Sequence, residues 1–269
     1  MFIVKIPRIN SKNGETKGCE KAGNAIIESL KEVRSNSQGR FVDARLLDLE
    51  EIHLDNSDPI NSNKLIYENA LEIFGGKTKT IFLGGDHSMT FSLGKAFLEY
   101  CRNEGKEPCL IIFDAHADCS RPEDLSDPGN KEWIYALIEK GFLAQNILIA
   151  GARNNSMQEA EFLSKQRIRT IKIDQFLENI EEACDTIMEF SNGKELYLSI
   201  DINFIDPAFA PATKEPEPGG LNPLQFLHII QRLNRMKNLR AADLAEINTE
   251  RQGSKETIRL GSRIISEFL

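Results

Sequence analysis

The stretch Cys109-Leu110-Ile111-Ile112-Phe113-Asp114-Ala115-His116-Ala117-Asp118 decides the fold. Its five leading apolar residues read as a short strand buried on both faces, as strands of parallel sheets are. The run then stops at three polar side chains, 114, 116 and 118, spaced by two. If the chain stays extended, all three share one face. Ligands in open parallel sheets gather at the carboxyl ends of strands. Two carboxylates and an imidazole buried there together are costly through desolvation and mutual repulsion, and a cation relieves both.

Similar apolar runs at 80–83, 146–150, 168–173, 195–200 and 239–244 read as further strands of the same sheet. Between them lie segments of helical period at 88–103, 132–140, 157–165, 175–190 and 223–236. Strand–helix alternation throughout predicts a three-layer α/β/α fold with a central, mostly parallel sheet. No internal repeat or linker interrupts the pattern, so one domain over 1–269 is expected. Two loops stand out. The stretch 206–221 carries Pro207, Pro211, Pro216 and Pro218 before Gly219-Gly220, too rigid for a tether and suited to a shaped wall beside a site. The polar stretch 120–131 directly follows the central cluster.

The composition is that of an ordinary globular protein, with 41% hydrophobic and 28% charged residues. A formal charge of −8 speaks against nucleic acid as a general partner, because phosphate binding needs a concentrated basic surface. Five scattered cysteines without Cys-x-x-Cys spacing read as reduced thiols. No apolar run approaches the roughly 18 residues of a membrane span, so no membrane association and a cytoplasmic location are expected.

Two more clusters repeat the device of the first. Gly84-Gly85-Asp86-His87-Ser88 ends the strand at 80–83, its glycines supplying freedom for a turn. In Ser199-Ile200-Asp201-Ile202-Asn203 a strand end presents Asp201 and Asn203. The pooled candidate ligands are His87, Asp114, His116, Asp118, Asp201 and Asn203. Carboxylate oxygen with two imidazoles suits manganese, with zinc, iron or nickel as alternatives. So many ligands suggest two metals, which lower the pKa of a shared water and point to hydrolysis. Of the four histidines, His53 and His228 lie outside the clusters, and surface or core positions are expected for them.

These motifs, GGDHS, FDAHAD, SIDINFIDPAFAPATKEPEPGGL and AADLAEIN, resemble in order and spacing the ureohydrolases, the arginase and agmatinase family of dinuclear manganese enzymes. The resemblance covers the chain from about Gly75 onward and is weak before it, including Lys17-Gly18-Cys19-Glu20. It implies an arginase-like fold in which His87, Asp114, Asp118 and Asp201 surround one Mn2+. His116, Asp114, Asp201 and the residue at 203 surround the other, with Asp114 and Asp201 bridging. It further implies hydroxide attack on the guanidinium carbon of a linear amidine, with Asp118 orienting the hydroxide and handling its proton. Glu246 then stands near the guanidinium, where a carboxylate accepts charge-assisted bonds from a planar cation. A small cationic guanidino substrate and a trimeric or hexameric homo-oligomer are implied as well.

Four positions depart from the family pattern. Asn203 replaces the aspartate that completes the second metal position, which removes one negative charge and a bidentate ligand. The stretch 120–131 lacks the histidine that serves relatives as proton shuttle. Lys214-Glu215 interrupts the small Gly-Thr or Gly-Ser element beside the guanidinium. Ser120 and Arg153-Asn154-Asn155-Ser156 occupy the positions at which arginases read the amino-acid end of arginine, which points to a decarboxylated or otherwise different guanidino compound. The leading expectation is a metal-dependent amidinohydrolase acting on a C–N bond of a linear guanidino compound. The alternative is a catalytically weakened relative with a binding or regulatory role, its second metal position impaired by Asn203. A single-metal amidase of similar architecture is a third possibility.

Overall fold

The computed structural model describes residues 2–10, 14–76 and 79–269. Eight strands pair in parallel in one sheet: β1 (Phe2–Ile6), β2 (Asp48–Glu51), β3 (Thr80–Gly84), β4 (Pro108–Phe113), β5 (Ile147–Ala150), β6 (Arg169–Ile171), β7 (Glu195–Asp201) and β8 (Leu239–Ala245). Their order is β2-β1-β3-β8-β7-β4-β5-β6. Successive side chains of a strand leave on opposite faces, so each central strand feeds two cores. Ile81, Leu83, Ile111, Phe113, Leu198 and Ile200 pack on one face beneath α1 (Ala22–Leu30), α6 (Ile173–Glu178), α7 (Ile180–Phe190), α8 (Pro223–Asn234) and α9 (Ser254–Ser266). Phe82, Leu110, Ile112 and Tyr197 pack on the other beneath α2 (Pro59–Gly75), α3 (Met89–Asn103), α4 (Trp133–Glu139) and α5 (Met157–Gln166). The expected α/β/α layering is present, and the sheet is parallel throughout.

Strands β3 to β8 coincide with the apolar runs of the sequence to within two residues at either end. The strands β1 and β2 and the helices α1, α2 and α9 carry no such mark. Strand β2, Asp-Leu-Glu-Glu, is a largely exposed edge whose composition argues against a strand; it is held by its parallel pairing with β1. The single helix expected over 175–190 is two. Asn179 takes an extended backbone (φ −153°, ψ 91°) between α6 and α7, and its side chain accepts from the Glu182 N–H at 3.2 Å to cap the second helix.

The register across the middle of the sheet positions the site. Leu83 of β3, Leu244 of β8, Ile200 of β7 and Phe113 of β4 form one row. The residues that follow this row therefore emerge side by side at the carboxyl edge of four adjacent strands.

Candidate metal centre

Each strand end is turned by its own polar residue. Strand β4 stops at Phe113, where Asp114 Oδ1 accepts the His116 N–H at 2.9 Å. Strand β7 stops at Asp201, where Oδ1 accepts the Asn203 N–H at 2.6 Å. Both are Asx-type turns in which a carboxylate takes over from the ladder. The extended 114–118 segment expected from the period of two is therefore not formed. Asp118 has φ 45°, in the left-handed region, and the His116 side chain stays 13% exposed while Asp114 and Asp118 are buried. Among the described residues, two of the three non-glycine residues with positive φ are Asp118 and Glu246 (φ 66°). Backbone held in this region concentrates at functional sites.

At the end of β3 the two glycines also differ from expectation. Neither has a positive φ. Gly85 is required by close approach, since a Cβ there would lie 1.7 Å from the Arg8 carbonyl oxygen. The Gly85 N–H donates to Ile6 O and the Asp86 N–H to Arg8 O, which carries the pairing of β1 and β3 past the strand ends. Asp86 then anchors the turn by accepting from the Asn10 N–H at 2.7 Å and from Thr16 Oγ1 at 2.8 Å.

These turns bring His87, Asp114, Asp118 and Asp201 together, one potential ligand atom from each lying within 4.8 Å of every other, and all four are buried. His87 Nδ1 stands 3.2 Å from Asp114 Oδ2, 2.9 Å from Asp118 Oδ2 and 3.4 Å from Asp201 Oδ2. Asp114 divides its oxygens, Oδ1 lying 3.4 Å from His116 Nδ1. His116 lies outside the group of four. Asn203 is buried beside Asp201, and its Oδ1 has no hydrogen-bond partner.

The residues fit a cation. His87 Nδ1 and Asp114 Oδ2 are buried and crowded against one another and the neighbouring carboxylates, yet neither makes a well-formed hydrogen bond, a costly arrangement unless something else satisfies them. Burial, reinforced by the charge on Asp114, pushes the Asp118 carboxyl up to about 7 and that of Asp201 up to about 6. Burial, followed by Asp201 and Asp86, holds Glu246 well above the usual carboxylate range. Burial opposes a charged imidazole, yet Asp114 and its neighbours raise His116 to about 9 and keep His87 above its ordinary value. Left to themselves, these groups hold protons that a divalent ion would replace.

A second layer orients the first. His87 Nε2 lies 2.9 Å from Ser199 Oγ, which donates to Asp243 Oδ1 at 2.8 Å. Tyr197 OH and Thr90 Oγ1 donate to the other oxygen of Asp243 at 2.8 and 3.0 Å. The relay leaves Nδ1 as the ring nitrogen facing the carboxylates. Trp133 Nε1 donates to Asp118 Oδ2 at 3.0 Å, and its ring packs 4.8 Å from that of His87. Glu246 Oε1 accepts from the His87 N–H at 2.9 Å and from Asn130 Nδ2 at 3.2 Å, which leaves Oε2 buried without a partner. The loop 206–221 is fastened as a wall. Arg153 donates to the carbonyls of Asn203, Glu217 and Pro218, and Asp206 Oδ2 accepts from the N–H groups of Gly219 and Gly220.

Ser199, Asp243, Trp133, Asn130 and Arg8 were not marked as site residues by the sequence. Asp243 had a signal, since a lone carboxylate inside Ala-Ala-Asp-Leu-Ala must find buried donors. Trp133 and Asn130 had none, because their contacts arise from the loop path alone. His53 is exposed and His228 pairs with Glu181, both away from the centre as expected.

A parallel α/β sheet with a buried histidine and three buried aspartates gathered at its strand ends defines a protein with a candidate metal centre at the carboxyl edge of its sheet. The Arginase family model matches residues 2–269, and the chain belongs to that family. It is 26% identical over 233 residues to an agmatinase of Chromobacterium violaceum, covering 85% of this chain and 69% of that one. It is 28% identical over 232 residues to an arginase of Coccidioides immitis, covering 77% and 70%. The fold is shared with a manganese-bound variant of formiminoglutamase from Trypanosoma cruzi, with a TM-score of 0.86 at 16% identity over 99% of this chain and 91% of that one. Among the described residues, no helix is long and apolar enough to cross a membrane.

Proposed function

We propose that this chain is a metal-dependent amidinohydrolase that cleaves a C–N bond of a linear guanidino compound. The observation that carries the reading is the buried cluster in which His87 Nδ1 meets Asp114, Asp118 and Asp201, with no well-formed hydrogen bond at His87 Nδ1 or Asp114 Oδ2. These four residues would hold a first Mn2+, and His116 and Asn203 would join Asp114 and Asp201 around a second. Bound there, the metal pair would supply hydroxide near neutral pH.

The chain's own groups divide the remaining work. Glu246 Oε2, buried and without a partner, accepts an N–H of the guanidinium and turns its carbon toward the metal ligands. The His87 N–H and Asn130 fix that carboxylate by holding its other oxygen. Asp118, aimed by Trp133, orients the attacking water and takes its proton; the departing amine needs one proton in exchange. Self-association as a trimer or hexamer belongs to the same reading and is measured by light scattering.

The test is metal content by mass spectrometry together with urea release from a panel of guanidino compounds in added manganese. Two metals per chain with urea release is the expected result. Less than one metal and no turnover, even in Asn203→Asp, would overturn the reading. Activity that appears only in Asn203→Asp, together with added metal, would identify a catalytically weakened relative.

A further inference from the structure

The mouth of the site is built from three segments that meet through charged side chains. Lys214 and Lys131 each cross from one segment to another. Lys214 Nζ lies 2.8 Å from Glu15 Oε2, and Lys131 Nζ lies 2.6 Å from Glu215 Oε1. Both pairs belong to loops that touch Glu246 or the strand end that carries it. Asn130, the neighbour of Lys131, donates directly to Glu246. Ala212, two residues before Lys214, accepts the Asn248 N–H at 2.8 Å, which holds its loop against the end of β8. Glu246 is accordingly among the carboxylates that act on the Lys214 ammonium.

The two partners of the Lys214 pair are unequal. The Lys214 side chain is 13% exposed and that of Glu15 is 49% exposed. The lysine is thus a fixed part of the wall, whereas the glutamate reaches it from solvent. Glu15 also lies in the field of Lys131 and Arg251. One accessible carboxylate therefore sits in a surround of three cations. Beside Lys214, Thr213 Oγ1 is buried without a hydrogen-bond partner, as is Glu246 Oε2. The wall thus carries a fixed ammonium and an unused hydroxyl on a loop held against the strand end that bears the unused carboxylate oxygen of Glu246.

The geometry points to Lys214 as the specificity-determining residue, selecting a guanidino compound that carries a carboxylate, which takes the place of Glu15 at the ammonium while the guanidinium meets Glu246. This inference rests on the amidinohydrolase reading and narrows its substrate class. Exchanging one exposed carboxylate for another keeps Lys214 paired throughout, so the mostly buried cation is never stranded. A compound ending in an amine would instead set a cation against Lys214. A neutral alkyl end would leave the Glu15 pair in place and gain nothing from it.

The test compares 4-guanidinobutyrate, butylguanidine and agmatine, matched in the guanidinium and differing in the charge at the far end. Each is followed by urea release and, separately, by calorimetric titration of the manganese-loaded protein. The native protein is expected to prefer the acid over butylguanidine by about tenfold or more, the size of one charge-assisted bond. Lys214→Met should collapse that ratio, Lys214→Arg should retain it, and Lys214→Glu should turn the preference toward agmatine. Glu15→Gln should tighten binding of the acid. Equal losses for acid and neutral compound in Lys214→Met, or a native protein that binds agmatine or butylguanidine as well as the acid, would overturn the assignment. Acid-selective binding that depends on Lys214 without urea release would keep the assignment and remove the hydrolase reading. Urea release with no charge preference would do the reverse.

Discussion

Asn203 and Ser199 show how single side chains set the quality of the centre. Asn203 brings a carbonyl oxygen, buried and unpartnered, to a place where a carboxylate would bring charge and a second oxygen. It can still donate a lone pair, so in the proposed function a second metal position would be weakened rather than abolished. Ser199 acts from behind. Its hydroxyl joins His87 Nε2 to Asp243, and with it fixes the tautomer that presents Nδ1 to the carboxylate cluster. Ser199→Ala removes the bridge while leaving both ends buried, and Asp243→Asn removes the charge that polarises it. Each is expected to weaken binding of the first manganese roughly 10–100-fold. Competition titration against a fluorescent chelator reads this without reference to turnover. An unchanged affinity in both variants would mean that the relay only fills space.

The turn after β3 shows what a short element contributes and what a sequence hides about it. Gly85 reads in the sequence as freedom for a bend, yet its backbone is ordinary, and the demand is for room against Arg8. Gly85→Ala should therefore cost about 3 kcal/mol or more, since the obstruction is rigid backbone, and chemical denaturation measures it. A loss under 1 kcal/mol would place the demand elsewhere. The same contrast explains which parts of the fold were legible. The run 109–113 and its fellows announce buried strands because both faces are apolar, and His87, Asp114 and Asp201 follow those runs at fixed offsets. Strand β2 could not be read, because Asp-Leu-Glu-Glu gains its pairing only from β1. Asp118 lies beside Asp114, and His116 Nδ1 lies 3.4 Å from Asp114 Oδ1, through a turn with a left-handed Asp118 rather than a continued strand. Arg8 was invisible for a similar reason. Fully buried, it pairs with Asp127 at 2.9 Å and pins the 120–131 loop that delivers Asn130 to Glu246, a contact spanning 119 positions of sequence.

The molecule joins its stability to its function at the centre of the sheet, and pH exposes the connection. In the metal-free protein Asp118 and Asp201 have their carboxyls raised to about 7 and about 6, chiefly by burial. A carboxyl raised on folding binds more protons folded than unfolded between its ordinary and its raised value. Stability is therefore lost as pH rises through that window. The imidazoles act in the same sense. Despite burial, Asp114 raises His116 to about 9, so its contribution is complete below its ordinary value and fades as pH climbs toward 9. Asp114 runs the other way, because His116 and His87 lower its carboxyl against the effect of burial. Its contribution is already complete above about pH 4 and is lost only in stronger acid. From about pH 5 to pH 8 the centre therefore destabilises the metal-free fold progressively. Metal binding changes in the opposite direction, since each proton removed leaves a better ligand. The melting temperature in chelator and in excess manganese should accordingly separate further at each step from pH 5 to pH 8, with the chelated protein falling relative to the loaded one. A gap that narrows toward pH 8 would mean that the carboxylates at the strand ends are held by something other than a cation.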